Sequence, residues 1–234
     1  MDELSVVTGG TSGIGFAVAQ DLVRDYDLAL VYKSNETRAH EAVERLGQLN
    51  STRKIRAFRG HLGDPKEAAR VFLEIENWHS RTPTNLINCA GQSYISFLVT
   101  DTPETMAAPM ENNFFSTLYA THFVARKMFV ARAGRIVNIS STAGDRDLDG
   151  YALYAAAKAA IEAFTKGTSR ELFKRGVTIN CVRPGLIRTA MTEGLLKVLS
   201  DSELTPIEAV VTAIRYFLNP DAARISGQIL TVDR

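Results

Sequence analysis

The stretch that decides the fold is Leu4-Ser5-Val6-Val7-Thr8-Gly9-Gly10-Thr11-Ser12-Gly13-Ile14-Gly15, near the start of the chain. Its first four residues have the composition of a short buried strand, and a helical pattern of apolar residues follows Gly15. Glycines at a turn from strand to helix let the backbone pass close to a ligand, and the free amides at a helix start attract a pyrophosphate. The stretch therefore predicts a dinucleotide-binding site.

Strand-like runs alternate with longer helical patterns along the rest of the chain. These runs are Leu28 to Tyr32, Ile55 to Phe58, Asn85 to Ile87, Arg135 to Ile139, Thr178 to Val182 and Gln228 to Val232. The alternation predicts an α/β fold, a doubly wound parallel sheet of about seven strands with helices on both faces. No repeat, low-complexity stretch or linker divides the 234 residues, so we expect one domain spanning residues 1–234.

Composition narrows the class of protein. Hydrophobic residues make up 45%, charged residues 23%, and the net charge is +1, which argues against nucleic acid as a partner. No apolar run approaches the roughly 20 residues of a membrane span, and Met1-Asp2-Glu3 is unlike a signal peptide. We expect a cytoplasmic protein without a membrane partner. Cys89 and Cys181 fit as small core residues, and their spacing predicts no metal site.

A second pattern carries the chemistry. Tyr154 and Lys158 are four residues apart, and Ser141 follows the apolar strand pattern that ends at Ile139. On one helix, Tyr154 and Lys158 would share a face one turn apart. A phenol is a poor acid or base near neutrality, but a nearby ammonium favours its phenolate form. The pattern indicates a proton-transfer site in which Ser141 holds a substrate oxygen, although the same spacing also occurs by chance on exposed helices.

Several polar or glycine-rich segments directly follow predicted strands. They are Asn88-Cys89-Ala90-Gly91, Ser140-Ser141 and Arg183-Pro184-Gly185. Ligands of parallel α/β sheets bind beyond the carboxyl ends of the strands. We therefore expect these segments to meet the first glycine turn at one edge of the sheet.

With these motifs in this order, the chain resembles the short-chain dehydrogenase/reductase family of the Rossmann type from about Leu4 to Asp233, and within it the 3-oxoacyl-acyl-carrier-protein reductases. The motifs are Thr8 to Gly15, Asn88 to Gly91, Asn113, Ser141 with Tyr154 and Lys158, and Pro184-Gly185 with Ile187 and Thr189. The resemblance implies a catalytic tetrad of Asn113, Ser141, Tyr154 and Lys158. In it Tyr154 donates the proton, Ser141 orients the substrate, Lys158 binds the ribose and assists the phenol, and Asn113 holds a water of the proton relay.

The resemblance also implies a set of cofactor-binding residues: Gly9, Thr11, Ser12, Gly13, Ile14, Gly15, Lys33, Ser34, His61, Leu62, Asn88, Cys89, Ala90, Gly91, Tyr154, Lys158, Pro184, Gly185, Ile187 and Thr189. The second predicted strand ends in Tyr32-Lys33-Ser34-Asn35, and the first acid comes only at Glu36. NAD enzymes of this architecture place a carboxylate there, whereas a 2′-phosphate needs a cation or hydroxyl donors. NADP(H) is therefore the predicted cofactor, with NAD(H) possible if Lys33 is merely a solvated side chain.

Four departures from the family pattern bear on the site. His61 stands where the family usually has an aspartate that contacts adenine. Tyr151 and Lys158 show the Tyr-x6-Lys spacing of the divergent enoyl reductases, but because the glycine pattern and Ser141 are retained we interpret Tyr151 as a pocket wall. The segment Thr192 to Thr205 replaces a longer helical lid, which predicts an open pocket or one closed by a partner. The chain ends at Arg234, before the glycine pair of relatives, so the interface of the expected homo-oligomer, a tetramer or dimer, stays open.

Three functions are compatible with a chain of this kind. The first is an NADPH-dependent carbonyl reductase acting on a 3-oxoacyl thioester of acyl carrier protein in fatty acid or polyketide synthesis. The second is an NAD-dependent dehydrogenase of a sugar, steroid or other secondary alcohol, and the third a noncatalytic nucleotide-binding subunit, which the presence of Tyr154 and Lys158 disfavours. Arg132 and Arg175 match positions that the reductases use to dock the acidic carrier. They could equally be a solvated side chain and a complement to a helix C-terminus.

Overall fold

Strand β1 (Leu4–Thr8) is completely buried and lies within a parallel sheet. A computed structural model of the chain describes residues 3–145, 149–189, 192 and 204–234. Successive side chains of β1 enter different layers, since Val6 packs in one core cluster and Val7 in the other. This alternation follows from the two-residue period of a strand. It means that both faces of the sheet are covered.

The described strands and helices alternate along the chain. The strands after β1 are β2 (Asp27–Tyr32), β3 (Ile55–Arg59), β4 (Asn85–Asn88), β5 (Gly134–Ile139), β6 (Val177–Pro184) and β7 (Ile229–Val232). The helices are α1 (Gly13–Leu22), α2 (Glu36–Leu49), α3 (Pro65–Trp78), α4 (Pro103–Pro109), α5 (Ser116–Ala131), α6 (Ala152–Phe173) and α7 (Ile207–Leu218). A π-helical segment, Met110–Phe115, joins α4 to α5, and short 3-10 turns cover Thr142–Asp145 and Pro220–Ala222.

The seven strands are ordered β3-β2-β1-β4-β5-β6-β7, and every neighbouring pair is parallel. One face packs against α1, α2 and α7, as shown by the cluster containing Leu22, Leu46 and Phe217. The other packs against α3, α5 and α6, with Phe72, Met128 and Leu172 in its cluster. The predicted doubly wound α/β sheet of about seven strands is confirmed. The predicted strand runs differ from the observed ones by two residues at most at either end.

The topology places a crevice between β1 and β4. The chain builds β1, β2 and β3 outward in one direction, then returns to the other side of β1 as β4. The loops after β1 and β4 therefore leave the sheet toward opposite faces. A reversal of strand order of this kind opens the crevice in which doubly wound sheets bind ligands.

Side-chain caps fix the starts of α2 and α3. The Asn35 side chain accepts a hydrogen bond from the Arg38 amide at 2.9 Å, and Asp64 accepts from the amides of Lys66 and Glu67 at 2.8 and 2.9 Å. These bonds satisfy amides that have no partner within the helix. Ser12, at the N-cap of α1, makes no side-chain bond of this kind. The first amides of α1 are therefore not capped by Ser12.

Two further predictions, the short lid and the absence of a membrane span, can be compared only with the described residues. Most of the predicted lid, residues 193–203, lies outside the described residues. Within the described residues, no helix combines the length and apolar character needed to cross a membrane.

Candidate active site

A cavity of about 660 Å³ opens at the carboxyl edge of the sheet, in the crevice between β1 and β4. It extends from the end of β2 to the first turn of α6. Asn113, Ser141, Tyr154 and Lys158, the predicted tetrad, all line it. So do the predicted cofactor residues, apart from Asn88: Gly9, Thr11, Ser12, Gly13, Ile14, Gly15, Lys33, Ser34, His61, Leu62, Cys89, Ala90, Gly91, Pro184, Gly185, Ile187 and Thr189.

Asn88 lies off the cavity and is 1% exposed. Its amide nitrogen donates to Thr121 Oγ1 at 3.0 Å and to Asn138 Oδ1 at 2.9 Å. Asn138 in turn donates to Thr165 Oγ1 on α6 at 2.9 Å. In this structure the Asn88 side chain therefore ties β4 to α5 and β5. The family resemblance implied a cofactor contact for Asn88, and the structure places its side chain in the core behind the cavity wall.

The glycine turn leaves room for a phosphate group. Gly9 has φ +64° and Gly13 has φ +51°, a region that favours glycine. A Cβ on Gly9 would come within 3.0 Å of the Ala90 backbone, and one on Gly15 would collide with the carbonyl oxygen of Gly9. The turn thus keeps the backbone bare where it faces the cavity and begins α1 there. Such a bare turn with uncapped helix amides fits a dinucleotide pyrophosphate.

Helix α6 brings Tyr154 and Lys158 to the same wall of the cavity. Lys158 is 6% exposed, its Nζ donates to the carbonyl oxygen of Ile139 at 3.1 Å, and it stands 5.6 Å from the centre of the Tyr154 ring. Ser141 follows β5 by two residues, and its Oγ accepts from the Ala143 amide at 3.1 Å. The end of β5 therefore both holds the ammonium and carries the hydroxyl. Together these groups can hold an oxygen and move a proton.

Asn113 is completely buried in the π-helical segment. Its Nδ2 donates to the carbonyl oxygens of Gln92 and Pro109, both at 3.0 Å, and its Oδ1 accepts from the Gln92 amide at 3.2 Å. A π segment of this kind often marks a functional position within a helix. Pro109 lies at its start and has no N–H to continue the regular ladder. The Asn113 side chain is thus committed to the loop after β4.

The end of the cavity beside β2 is basic. Lys33 Nζ donates to Asn112 Oδ1 at 2.7 Å, and His61 Nε2 is 3.2 Å from the same oxygen. Lys33 is therefore engaged by the opposite wall of the cavity and not simply solvated. Ser34, Asn35 and Arg38 line the cavity beside it. Among the described lining residues there is no Asp or Glu.

Two other side chains complete the wall. Tyr151 lines the cavity, and its ring lies edge-on to that of Tyr154 with centres 6.2 Å apart, as expected of a pocket wall. Cys89 occupies the position after β4, and burial raises the pKa of its thiol to about 12. It is therefore a neutral thiol that adds a small uncharged surface to the cavity.

Arg132 and Arg175 lie at the amino ends of the strands, opposite the cavity. Each stands two residues before the start of its strand, at Gly134 of β5 and Val177 of β6, which pair in register. Arg132 is exposed in a left-handed conformation at the end of α5. The Arg175 guanidinium stacks 4.8 Å from the centre of the Phe129 ring. The two arginines are neighbours, but the length of β5, about 20 Å for its six residues, separates them from the cavity.

The family model described as short chain dehydrogenase matches residues 3–198. The chain belongs to this family. It is 30% identical to the 3-oxoacyl-[acyl-carrier-protein] reductase of Chlamydia muridarum over 100% of this chain and 96% of that protein. It is 27% identical to the 2,3-dihydroxy-2,3-dihydro-p-cumate dehydrogenase of Pseudomonas putida over 99% of this chain and 93% of that one.

The fold is equally well represented among solved structures. A single-residue variant of the actinorhodin polyketide ketoreductase, solved with NADPH, superposes with a TM-score of 0.90 at 24% identity, covering 99% of this chain and 96% of that one. Membership of the family makes this chain an NAD(P)-dependent oxidoreductase. The cavity, with its glycine turn and its tyrosine and lysine, is the place where such chemistry fits.

Sequence reasoning did not identify Asn112, Gln92 and Arg38, which are among the residues that line the cavity. Asn112 and Gln92 gave no signal, because their significance depends on contacts between distant parts of the chain. Arg38 lies in the first turn of α2. A cation within a turn of the end of β2 was the signal that could have identified it.

Proposed function

We propose that the protein is an NADPH-dependent carbonyl reductase that reduces a 3-oxoacyl thioester, with Tyr154 as the proton donor. One observation carries this proposal: a buried lysine on α6 sits beside a tyrosine and a serine in the same cavity as a bare glycine turn. The name of the Chlamydia muridarum relative supports the substrate class.

The residues present fit a nicotinamide dinucleotide. The glycine turn and the first amides of α1 would hold the pyrophosphate. Lys33, Ser34 and Arg38 would hold a 2′-phosphate, since cations and hydroxyls bind phosphate oxygens and the described cavity wall offers no competing carboxylate. When bound, the cofactor supplies the hydride.

The chain's own residues supply orientation and the proton. Ser141 Oγ holds the ketone oxygen beside the Tyr154 hydroxyl, which donates its proton to that oxygen as it becomes an alkoxide. The Lys158 ammonium, fixed by the Ile139 carbonyl, stabilises the phenolate that remains. Asn113 keeps the loop after β4 in place through the backbone of Gln92.

The first test removes the proton donor. We expect Tyr154→Phe to lower kcat for ketone reduction by at least about 10²-fold, the usual scale of lost acid–base catalysis, with nucleotide binding preserved. Tyr151→Phe is the matched control, because it removes a neighbouring hydroxyl from the same wall, and it should lose less than about tenfold. Near-normal turnover by Tyr154→Phe would contradict the assignment and favour Tyr151. Lys158→Ala should damage both the Kd for nucleotide and kcat.

The second test concerns the cofactor. We expect a lower KM for NADPH than for NADH, and we expect Lys33→Ala to reduce the preference roughly tenfold, since a hydrogen bond to a charged group contributes about 1.5–3 kcal/mol. Lys66→Ala, which removes an exposed ammonium on α3, should leave the ratio unchanged. Equal KM values for the two cofactors in the unmodified protein would exclude the NADPH preference.

Oxidation of a secondary alcohol is the second candidate, because the similar Pseudomonas putida protein is named a dehydrogenase. The same groups would then act in reverse, with Tyr154 as base. A screen of NADPH with acyl thioesters and small ketones, run beside NAD with secondary alcohols, separates the two. Turnover only in the second arm would favour the dehydrogenase.

A further inference from the structure

Asn112 bonds to residues from three different parts of the chain. Its Oδ1 accepts from Lys33 Nζ at 2.7 Å and lies 3.2 Å from His61 Nε2. Lys33 follows β2 and His61 follows β3, so this oxygen gathers the basic groups at one end of the cavity. The contact with Lys33 joins residues 79 positions apart in sequence. Asn112 is thus one wall of the basic end.

The amide nitrogen of Asn112 bonds in the other direction. It donates to the Tyr94 hydroxyl at 2.7 Å and to the carbonyl oxygen of Ala108 at 2.9 Å. The Tyr94 hydroxyl in turn donates a hydrogen bond to Gln92 Oε1 at 3.0 Å. Burial, with Glu111 nearby, raises the pKa of this phenol, so it stays a protonated donor near neutral pH. The side chain of Asn112 therefore also fixes the loop after β4.

The π-helical segment lets two consecutive residues grip that loop. Asn113 bonds to the amide and the carbonyl oxygen of Gln92, and Asn112 bonds through Tyr94 to the Gln92 side chain. In a regular α-helix, adjacent residues do not share a face. Here the two adjacent residues lie in a π-helical segment, a deviation that often occurs at functional sites. The same loop continues to Ser96, whose amide donates to the Gly150 carbonyl oxygen at 2.8 Å, one residue before Tyr151.

We propose that Asn112 is a positioning residue that couples the basic end of the cofactor cavity to the loop bordering the substrate end. Its oxygen orients Lys33 and His61, and its amide nitrogen orients Tyr94 and, through it, Gln92. The role rests on the proposed NADPH-dependent reduction for both of its halves: the 2′-phosphate at the basic end and the ketone at the substrate end. Asn112 acts on cofactor and substrate binding through Lys33 and Tyr94, without contacting the reacting atoms itself.

The cofactor half is tested by binding. We expect Asn112→Ala to weaken the Kd for NADPH by about three- to tenfold and the Kd for NADH by less than about twofold, because a loosened Lys33 matters only for the 2′-phosphate. In a Lys33→Ala background the same Asn112 substitution should change the Kd for NADPH by less than about twofold. Such non-additivity is the signature of a residue that acts through its neighbour.

The loop half is tested by steady-state kinetics. Tyr94→Phe and Asn112→Ala should each raise the KM for the ketone about threefold or more with a smaller change in kcat, and the double variant should be no worse than the more severe single one. Tyr94→Phe should leave the Kd for NADPH within about twofold. Asn50→Ala is the matched control, since it removes an amide bonded to the Val23 carbonyl oxygen and to Thr52, before the start of β3. Asn50→Ala should change neither the KM for the ketone nor the Kd for NADPH.

The outcomes separate this proposal from the proposed function. The unmodified protein's Kd values for NADPH and NADH, and its turnover, test the function; the ratios between variants and parent test Asn112. Additive effects of Lys33→Ala and Asn112→Ala, or an Asn112→Ala protein with parental Kd and KM values, would overturn the positioning role. If Asn112→Ala lowers the Tm so far that it does not fold, Asn112→Ser, which is too short to reach Lys33 and Tyr94, replaces it with the same expectations.

Discussion

Cys89 shows how a single side chain takes its chemistry from its surroundings. It lines the cavity, and burial raises its pKa to about 12 although the nearby Lys158 ammonium acts in the opposite direction. Cys181, in the middle of β6, is completely buried, and burial raises its pKa to about 11. At pH 8 a thiol with a pKa of about 12 is ionised in on the order of one molecule in ten thousand.

The two thiols should therefore be unreactive in the folded protein. We expect labelling by a disulfide reagent at pH 8 to be at least about 100-fold slower in the native chain than in guanidinium, because the thiolate is the reacting form. Cys181→Ala assigns the remaining signal to Cys89, which lines the cavity. Rapid native labelling of Cys89 would contradict the raised pKa.

The same pKa shifts give a sign for stability. Both thiols are harder to ionise when folded than when unfolded, where the pKa is about 8.5. Above that pH the unfolded chain loses protons that the folded chain keeps, so their contribution to stability is present below pH 8.5 and declines as pH rises toward 11–12. Urea midpoints measured from pH 8 to 10 should fall less in Cys181→Ala than in the parent.

At the scale of elements, two glycines differ in whether their surroundings leave room for a side chain. A Cβ on Gly15 would collide with the Gly9 carbonyl oxygen, whereas a Cβ on Gly47, in the last turns of α2, would meet nothing within 4 Å. One glycine is required by close packing of the turn, and the other only adds freedom to the unfolded chain.

We therefore expect Gly15→Ala and Gly47→Ala to differ in sign. Gly15→Ala should lower the free energy of unfolding by about 1–3 kcal/mol, the usual cost of overpacking, and weaken nucleotide binding. Gly47→Ala should raise it by about 0.5–1 kcal/mol with unchanged binding. Urea denaturation and nucleotide titration of both variants measure these effects. A Gly15→Ala protein with parental stability and nucleotide binding would show that the turn can accommodate a Cβ at this position, contrary to this expectation.

The elements also show what a sequence can and cannot predict. The strands and the glycine turn were predictable because their signals are local: an apolar run, a period of two, a turn residue at a fixed place. The π-helical segment was not, because Pro109 signals only an interruption and the outcome depends on what packs beside it. The contact of Lys33 with Asn112 depends on two distant segments meeting, so the residue was found but not its partner.

At the scale of the whole molecule, the two ends of the parallel strands differ in character. Here the carboxyl edge means the carboxyl ends of the strands and the amino edge means their amino ends. The carboxyl edge holds the cavity, and the amino edge holds Arg132 and Arg175. The same edge holds a buried pair in which His79 Nε2 lies 3.1 Å from Asp27 Oδ2, and Asp27 Oδ1 accepts from the Lys54 amide at 2.9 Å. The edge opposite the cavity is thus fixed by its own polar contacts. A partner bound there lies about one strand length from the cavity of the same chain.

This distance sharpens the hypothesis that the arginines dock an acidic carrier protein. A carrier bound at the amino ends of the strands would have to extend its substrate over this length to reach the cavity of the same chain. Docking through exposed charges acts on encounter, is screened by salt and leaves the chemical step unchanged. We expect Arg132→Glu with Arg175→Glu to raise the KM for a carrier-bound 3-oxoacyl substrate about tenfold or more, with an unchanged KM for a small, uncharged 3-oxoacyl thioester.

The control must reproduce the change of charge and the lost ring contact. Arg45 stacks 4.7 Å from the centre of the Phe16 ring, as Arg175 does on Phe129, and Arg224 is exposed like Arg132. Arg45→Glu with Arg224→Glu should therefore leave both KM values unchanged, and light scattering should give the parental mass for both double variants. If the two substrates suffer equally, or neither does, the arginines do not dock a carrier. A free ketone then becomes the better substrate, because docking of an acidic partner at the amino edge rests on these two charges, whereas a small molecule reaches the cavity by diffusion without them.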